Sequence, residues 1–120
     1  MWAGLESRKF PRVKANCKIL IQSTGENTQM RSATENIGAG GICVILDRAL
    51  DKMSQVKLEL DVRDGKAPIE CAGRVVWAVR KRSFKTDEQG HDIGIEFVDL
   101  TPDCMTRIQS LVNQASASKK

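Results

Sequence analysis

The chain has 120 residues, 41% of them apolar and 28% charged, and a formal charge of +4. This length supports one domain around a single core, with the composition of an ordinary soluble globular protein. No segment is long and apolar enough to cross a bilayer, and Met1 to Glu6 lacks the charged start and apolar run of a secretory signal, so the expected location is the cytoplasm without membrane insertion.

Met1 to Ser7 is expected to be a flexible leader, residues 8–114 the domain, and 115–120 a disordered tail. In Arg8-Lys9-Phe10-Pro11-Arg12 the proline pushes the segment towards extended structure. From Val13 the alternation predicts one half-buried strand, with Val13, Ala15, Cys17, Ile19 and Ile21 on one face and Leu20 as the misfit. Ser23 to Asn27 is a turn cluster, and Gln29 to Glu35 a polar return strand. Ile42 to Leu46 is a short apolar strand, and Val56 to Val62 an alternating one. Asp64-Gly65 signals a hairpin whose loop is lengthened by Lys66-Ala67-Pro68. Ile69 to Arg80 is a long strand, with Trp77 expected in the core beside Val75 and Val79. Lys81 to Gly90 is a charged loop, followed by a last strand marked by Ile93, Ile95 and Phe97. Thr101-Pro102-Asp103 then supplies a cap, a first-turn proline and a first-turn acid for a helix with Cys104, Ile108, Leu111 or Val112, and Ala115 on its apolar stripe. The sum is a mainly β domain: a small six-stranded antiparallel barrel, closed to remove its edges, with one C-terminal α-helix.

Catalysis has little to work with. His91 is the only histidine, so no Ser-His-Asp or Cys-His arrangement suggests itself and no catalytic residue is assigned. Cys17, Cys43, Cys71 and Cys104 are too widely and irregularly spaced for a zinc site and are expected to be reduced packing residues, with no metal and no cofactor. Binding is the better use of this chain. Asn36-Ile37-Gly38-Ala39-Gly40-Gly41 puts three glycines in four positions before a strand, which permits positive φ and close approach of a ligand to the backbone. It lacks the lysine and hydroxyl of a phosphate loop. Arg8 and Arg12 offer planar forks that match the guanine edge or two phosphate oxygens. Arg74, Arg80, Lys81, Arg82 and Lys85 form a second basic group.

With both segments in view, the chain resembles the PilZ family, the bacterial domain that binds cyclic di-GMP. The family pattern is RxxxR before the first barrel strand and (D/N)xSxxG some way after it. Arg8 to Arg12 matches the first in full, and Asn36 to Gly41 matches the second at its asparagine and final glycine, with Gly38 where the family has serine. Gly73-Arg74-Val75-Val76-Trp77 and Gly94-Ile95-Glu96-Phe97 look like the family's last two barrel strands. The resemblance implies a PilZ-type, split-barrel-like fold and a second-messenger receptor in motility or biofilm regulation. Arg8 and Arg12 would grip guanine edges and phosphates, Asn36 would contact a guanine, and Gly41 would let the turn approach the ligand. Gly38, Ala39 and Gly40 would offer backbone N–H groups in place of the missing hydroxyl, with Lys9 and Arg74 extending the basic surface. A protein partner would read the ligand-bound surface. Two rivals stand beside this reading: a PilZ-like scaffold that no longer binds nucleotide, and a nucleic-acid-binding barrel. The second is disfavoured by an aromatic content of 4% with no tyrosine to stack bases.

Overall fold

The structure, a computed structural model, describes residues 12–24, 28–48, 50–82 and 89–117. Seven strands and a helix run in the order β1 (Arg12–Lys14), β2 (Lys18–Ser23), β3 (Gln29–Gly38), β4 (Gly41–Leu46), β5 (Gln55–Leu60), β6 (Ile69–Arg82), β7 (Gln89–Val98) and α1 (Pro102–Ala117). Every pairing is antiparallel. The lateral order is β1-β3-β2-β5-β6-β7-β4, and pairing of β4 back onto β3 closes strands β2 to β7 into a six-stranded barrel. The extra strand, β1, lies on β3.

Period-two patterning explains the closure. Ile19, Ile21, Ile37, Ile42, Val44, Val56, Leu58, Leu60, Ile69, Val75, Ile93 and Ile95 are each no more than 4% exposed and form one cluster inside the barrel. Each such burial contributes roughly 1.5–3 kcal/mol before conformational entropy is charged against it. α1 adds Ile108 and Val112 to the same cluster and packs on β1 and β3. Its start is the expected one: the Thr101 hydroxyl accepts the Cys104 N–H at 3.2 Å, and Pro102 opens the helix. On the outside of the helix, Arg107 forks onto Asp64 at 2.6 and 2.9 Å and donates to the Ala67 carbonyl at 2.7 Å, tying α1 to the β5–β6 loop.

Three local features depart from the sequence expectation. The strand predicted from Val13 to Gln22 is broken at residues 15–17, because Thr34 takes over the backbone there. The Thr34 hydroxyl accepts the Cys17 N–H at 2.9 Å and donates to the Ala15 carbonyl at 2.6 Å, while its own N–H bonds the Cys17 carbonyl at 2.9 Å. Glu35 is extruded as a bulge beside it, since Thr34 faces Val44 and Asn36 already faces Cys43. Leu20 is, as expected, the apolar residue on the outer face, half-buried opposite Arg31 and Glu59.

The second departure is in β6. Val75 faces Ile95 while Trp77 faces Gly94, so Val76 is an inserted residue. The insertion breaks the alternation, and Val75, Trp77 and Val79 do not share a core face: Val75 is fully buried, Trp77 half-buried and Val79 53% exposed. The third is the charged loop, which is shorter than expected because β6 runs to Arg82 and β7 begins at Gln89.

Candidate functional site

The glycine-rich stretch is the link between β3 and β4. Ile37 and Ile42 face each other across it, both fully buried, so the turn is pinned from inside the barrel. Only Ala39 and Gly40 lie between the strands. Gly40 accepts the Phe97 N–H at 3.0 Å, and Gly41 faces Glu96, which fastens the turn to β7 on its other side. None of the three glycines stands at positive φ; among the described residues the glycine with that geometry is Gly65, in the β5–β6 loop. The positive φ that these glycines permit is not used here. The two flanking strands hold the turn in ordinary backbone geometry.

The broken first strand has a consequence for this turn. With Ala15 to Cys17 clamped by Thr34, the chain before them is free to pair with the far end of β3. Arg12 faces Gly38, Val13 faces Ile37 and Lys14 faces Asn36. The last arginine of the RxxxR segment is therefore one inter-strand step, about 5 Å, from the glycine that replaces serine. Arg8 and Lys9 lie outside the described residues.

A second lateral row runs Gly41, Glu96, Arg74, which puts the Arg74 backbone roughly 10 Å from the turn. The Arg74 guanidinium meets Glu96 at 3.3 Å, both side chains being about one-third exposed. An exposed pair of this kind contributes only ~0–1 kcal/mol, so a stronger anion can draw Arg74 away from it.

A third row crosses four strands: Asn36 faces Cys43, Cys43 faces Gly94, and Gly94 faces Trp77. The Cys43 thiol donates to Asp92 at 2.8 Å. Trp77 rests on the bare Cα of Gly94, where an added Cβ would fall 2.5 Å from the indole. Unbroken alternation assigns this ring to the core, and the structure lays it on Gly94 instead. The signal that finds it is Gly94, a glycine inside a strand that marks close approach by a neighbour. The registers set the Arg12 backbone, Asn36, Gly38 and Gly41 at the turn, with Arg74 two strands away and Trp77 at the far end of its row. Such groups have the chemistry to bind and orient a planar anion. Among the described residues, no three His, Cys, Asp or Glu side chains come together to hold a metal ion, and no helix is long and apolar enough to cross a membrane.

The PilZ domain family model matches residues 6–114. The chain belongs to the PilZ domain family. No curated protein sequence matches it. Among solved structures it is similar to the Bacillus subtilis inhibitor of motility MotI/DgrA, with TM-score 0.76 and 18% identity over 94% of this chain and 52% of that one. The PilZ domain of Escherichia coli YcgR with c-di-GMP gives TM-score 0.74 and 12% identity over 92% of both chains. The K. pneumonia MrkH–c-di-GMP complex gives TM-score 0.74 and 14% identity, covering 92% of this chain and 52% of that one. The chain thus spans about half of MotI/DgrA and of MrkH, and nearly all of the isolated YcgR domain. At these identities the likeness carries the PilZ fold.

Proposed function

We propose that this PilZ domain is a receptor for cyclic di-GMP. The observation that carries the reading is the register laying Arg12 beside Gly38, which brings the end of the first motif against the second. In this reading Arg8 and Arg12 fork onto guanine edges and phosphates, with Lys9 adding charge from the same arm. Asn36 reads a guanine through its amide. Gly38, Ala39 and Gly40 turn backbone N–H groups to the phosphates, and Gly41 lets the ligand close on the chain. Arg74 leaves Glu96 for a phosphate. The domain catalyses nothing and acts by ordering its N-terminal arm over the ligand, which changes the surface presented to a protein partner. The neighbouring structures named with c-di-GMP support the ligand's identity.

The specific observation favouring the rival, a scaffold without nucleotide, is Gly38. A hydroxyl bonded to a charged phosphate contributes roughly 1.5–3 kcal/mol, so its absence weakens binding about ten- to a hundredfold without abolishing it. Isothermal titration with cyclic di-GMP, and with GTP as control, separates the two readings. The receptor reading expects saturable heat that Arg12→Ala weakens at least about fivefold, the loss of a fork contact of roughly 1–3 kcal/mol. Absence of heat and of thermal stabilisation at saturating ligand leaves the scaffold.

A further inference from the structure

We propose that Cys71 and Cys104 form a reversible disulfide that staples α1 to the start of β6, a redox switch in the seam between helix and barrel. Both thiols are free and half-buried, and both pack against the core cluster. Cys71 follows Ile69 on the inward face of β6 and stands opposite Leu58. Cys104 lies in the first turn of α1, on the apolar stripe continued by Ile108 and Val112. Two connections bring them to one place. The last pair between β6 and β7 is Ala72 with Val98, so Cys71 is next to the point where the chain leaves β7, and residues 99–101 then lead into the helix. On the other side, one helical turn after Cys104, Arg107 holds Asp64 and the Ala67 carbonyl in the loop that enters β6. Burial holds the Cys71 thiol up at about 11, and the nearness of Cys104 adds to the rise.

Cys17 and Cys43 are placed differently: both are buried on other parts of the sheet, and the Cys43 thiol donates to Asp92. The oxidant is a hydroperoxide. Because Cys71 is held protonated, the Cys104 sulfur attacks first. With hydrogen peroxide its sulfur bonds one oxygen, the O–O bond breaks, and the thiol proton leaves with the other oxygen as water, giving a sulfenic acid. The Cys71 sulfur then gives up its proton and attacks the sulfenic sulfur. The S–S bond forms, the S–O bond breaks, and the hydroxyl departs with that proton as a second water. Two thiols and one peroxide thus give one disulfide and two waters, a two-electron oxidation that a dithiol reverses by exchange. The bond closes a loop containing all of β7 and fixes the helix, which packs on β1, so the constraint reaches the strand that carries Arg12.

The test treats the full chain with an equimolar amount of hydrogen peroxide. Omitting nucleotide keeps its outcome distinct from that of the nucleotide reading. The expected result is loss of two of the four thiols and, in a non-reducing tryptic digest, residues 67–74 joined to residues 86–107 with two hydrogens lost. Dithiothreitol should restore both thiols. The oxidised chain should melt about 10–20 °C above the reduced one, the gain of a cross-link that closes a long loop. Cys104→Ser and Cys71→Ala should each abolish the linked peptide and the shift. Mapping the linked peptides in the wild-type chain decides the pairing even where a variant fails to fold. A bond between any other pair or between two chains, sulfinic acid without a bond, no bond at all, or a bond that leaves the melting temperature unchanged would each overturn the proposal.

Discussion

Thr34 is the residue whose removal tests how the site is built. It is the buried polar side chain of the described core, fully enclosed, and its hydroxyl serves two strands at once. Thr34→Val keeps the shape and deletes the hydroxyl. The Cys17 N–H, on a residue 1% exposed, then has no route to water, which costs about 1–3 kcal/mol. Ala15 is half-buried, so its carbonyl rehydrates in part and adds about 1 kcal/mol. The expected total is about 2–4 kcal/mol, or a melting temperature lower by about 10–25 °C for a domain of this size. Urea unfolding measures the first figure and calorimetry the second. Thr34→Ser, which keeps the hydroxyl, should recover most of the loss. The valine variant should also weaken nucleotide binding more than a stability loss alone explains, because β1 and Arg12 reach Gly38 only through the kink that Thr34 holds. A valine variant within 0.5 kcal/mol of wild type, roughly the scatter of neutral surface changes, would refute the clamp.

Gly94→Ala puts a methyl group 2.5 Å from the Trp77 indole, so the ring must lift off β7. The expected cost is about 1–3 kcal/mol, with a red shift of Trp77 emission in a Trp2→Phe background. Hydrogen bonding to Arg107 holds the Asp64 carboxyl down at about 2, against an ordinary 3.8. A depressed folded value contributes stability above the unfolded pKa and loses it as pH falls through the folded one, so the contribution is complete above about pH 5 and falls away as pH drops through about 2. Asp64→Asn should flatten the urea midpoint across that window and leave its pH dependence elsewhere unchanged. Gly38→Ser should tighten cyclic di-GMP binding by about ten- to a hundredfold in titration calorimetry. Its backbone admits the change, since Gly38 has no positive φ. An unchanged affinity would mean that the missing hydroxyl is not what limits binding.

The barrel was legible because its signal is periodic. Val56, Leu58 and Leu60, or Ile93 and Ile95, alternate without error, and strand closure follows from patterning that repeats along the chain. What escaped the alternation were two inserted residues, Glu35 and Val76. A bulge leaves no mark in composition, yet it moves every later side chain by one position relative to its partner strand. That is why Trp77 reads as core from its spacing to Val75 while the structure lays it on Gly94. The break at residues 15–17 was hidden for a related reason: Val13, Ala15, Cys17 and Ile19 keep the period of a continuous strand, and the interruption comes from a threonine far along the chain. The motifs were readable as motifs; that Arg12 pairs with Gly38 was not, because register between distant strands is set by such insertions.

The proposed nucleotide site reaches β6 through Arg74, which limits how strongly that strand can report the ligand. Arg74 lies two residues before the inserted Val76. A ligand that pulled Arg74 from Glu96 would alter the strand just ahead of the bulge. The partly exposed Arg74–Glu96 pair holds only ~0–1 kcal/mol, and a coupling cannot exceed the interaction that carries it. Through that pair, ligand can change partner affinity by about fivefold at most. A larger response needs an element whose order depends wholly on ligand. In the receptor reading that element is the segment bearing Arg8, which Arg12 anchors beside the turn by its pairing with Gly38. Most of the signal should then lie in the arm.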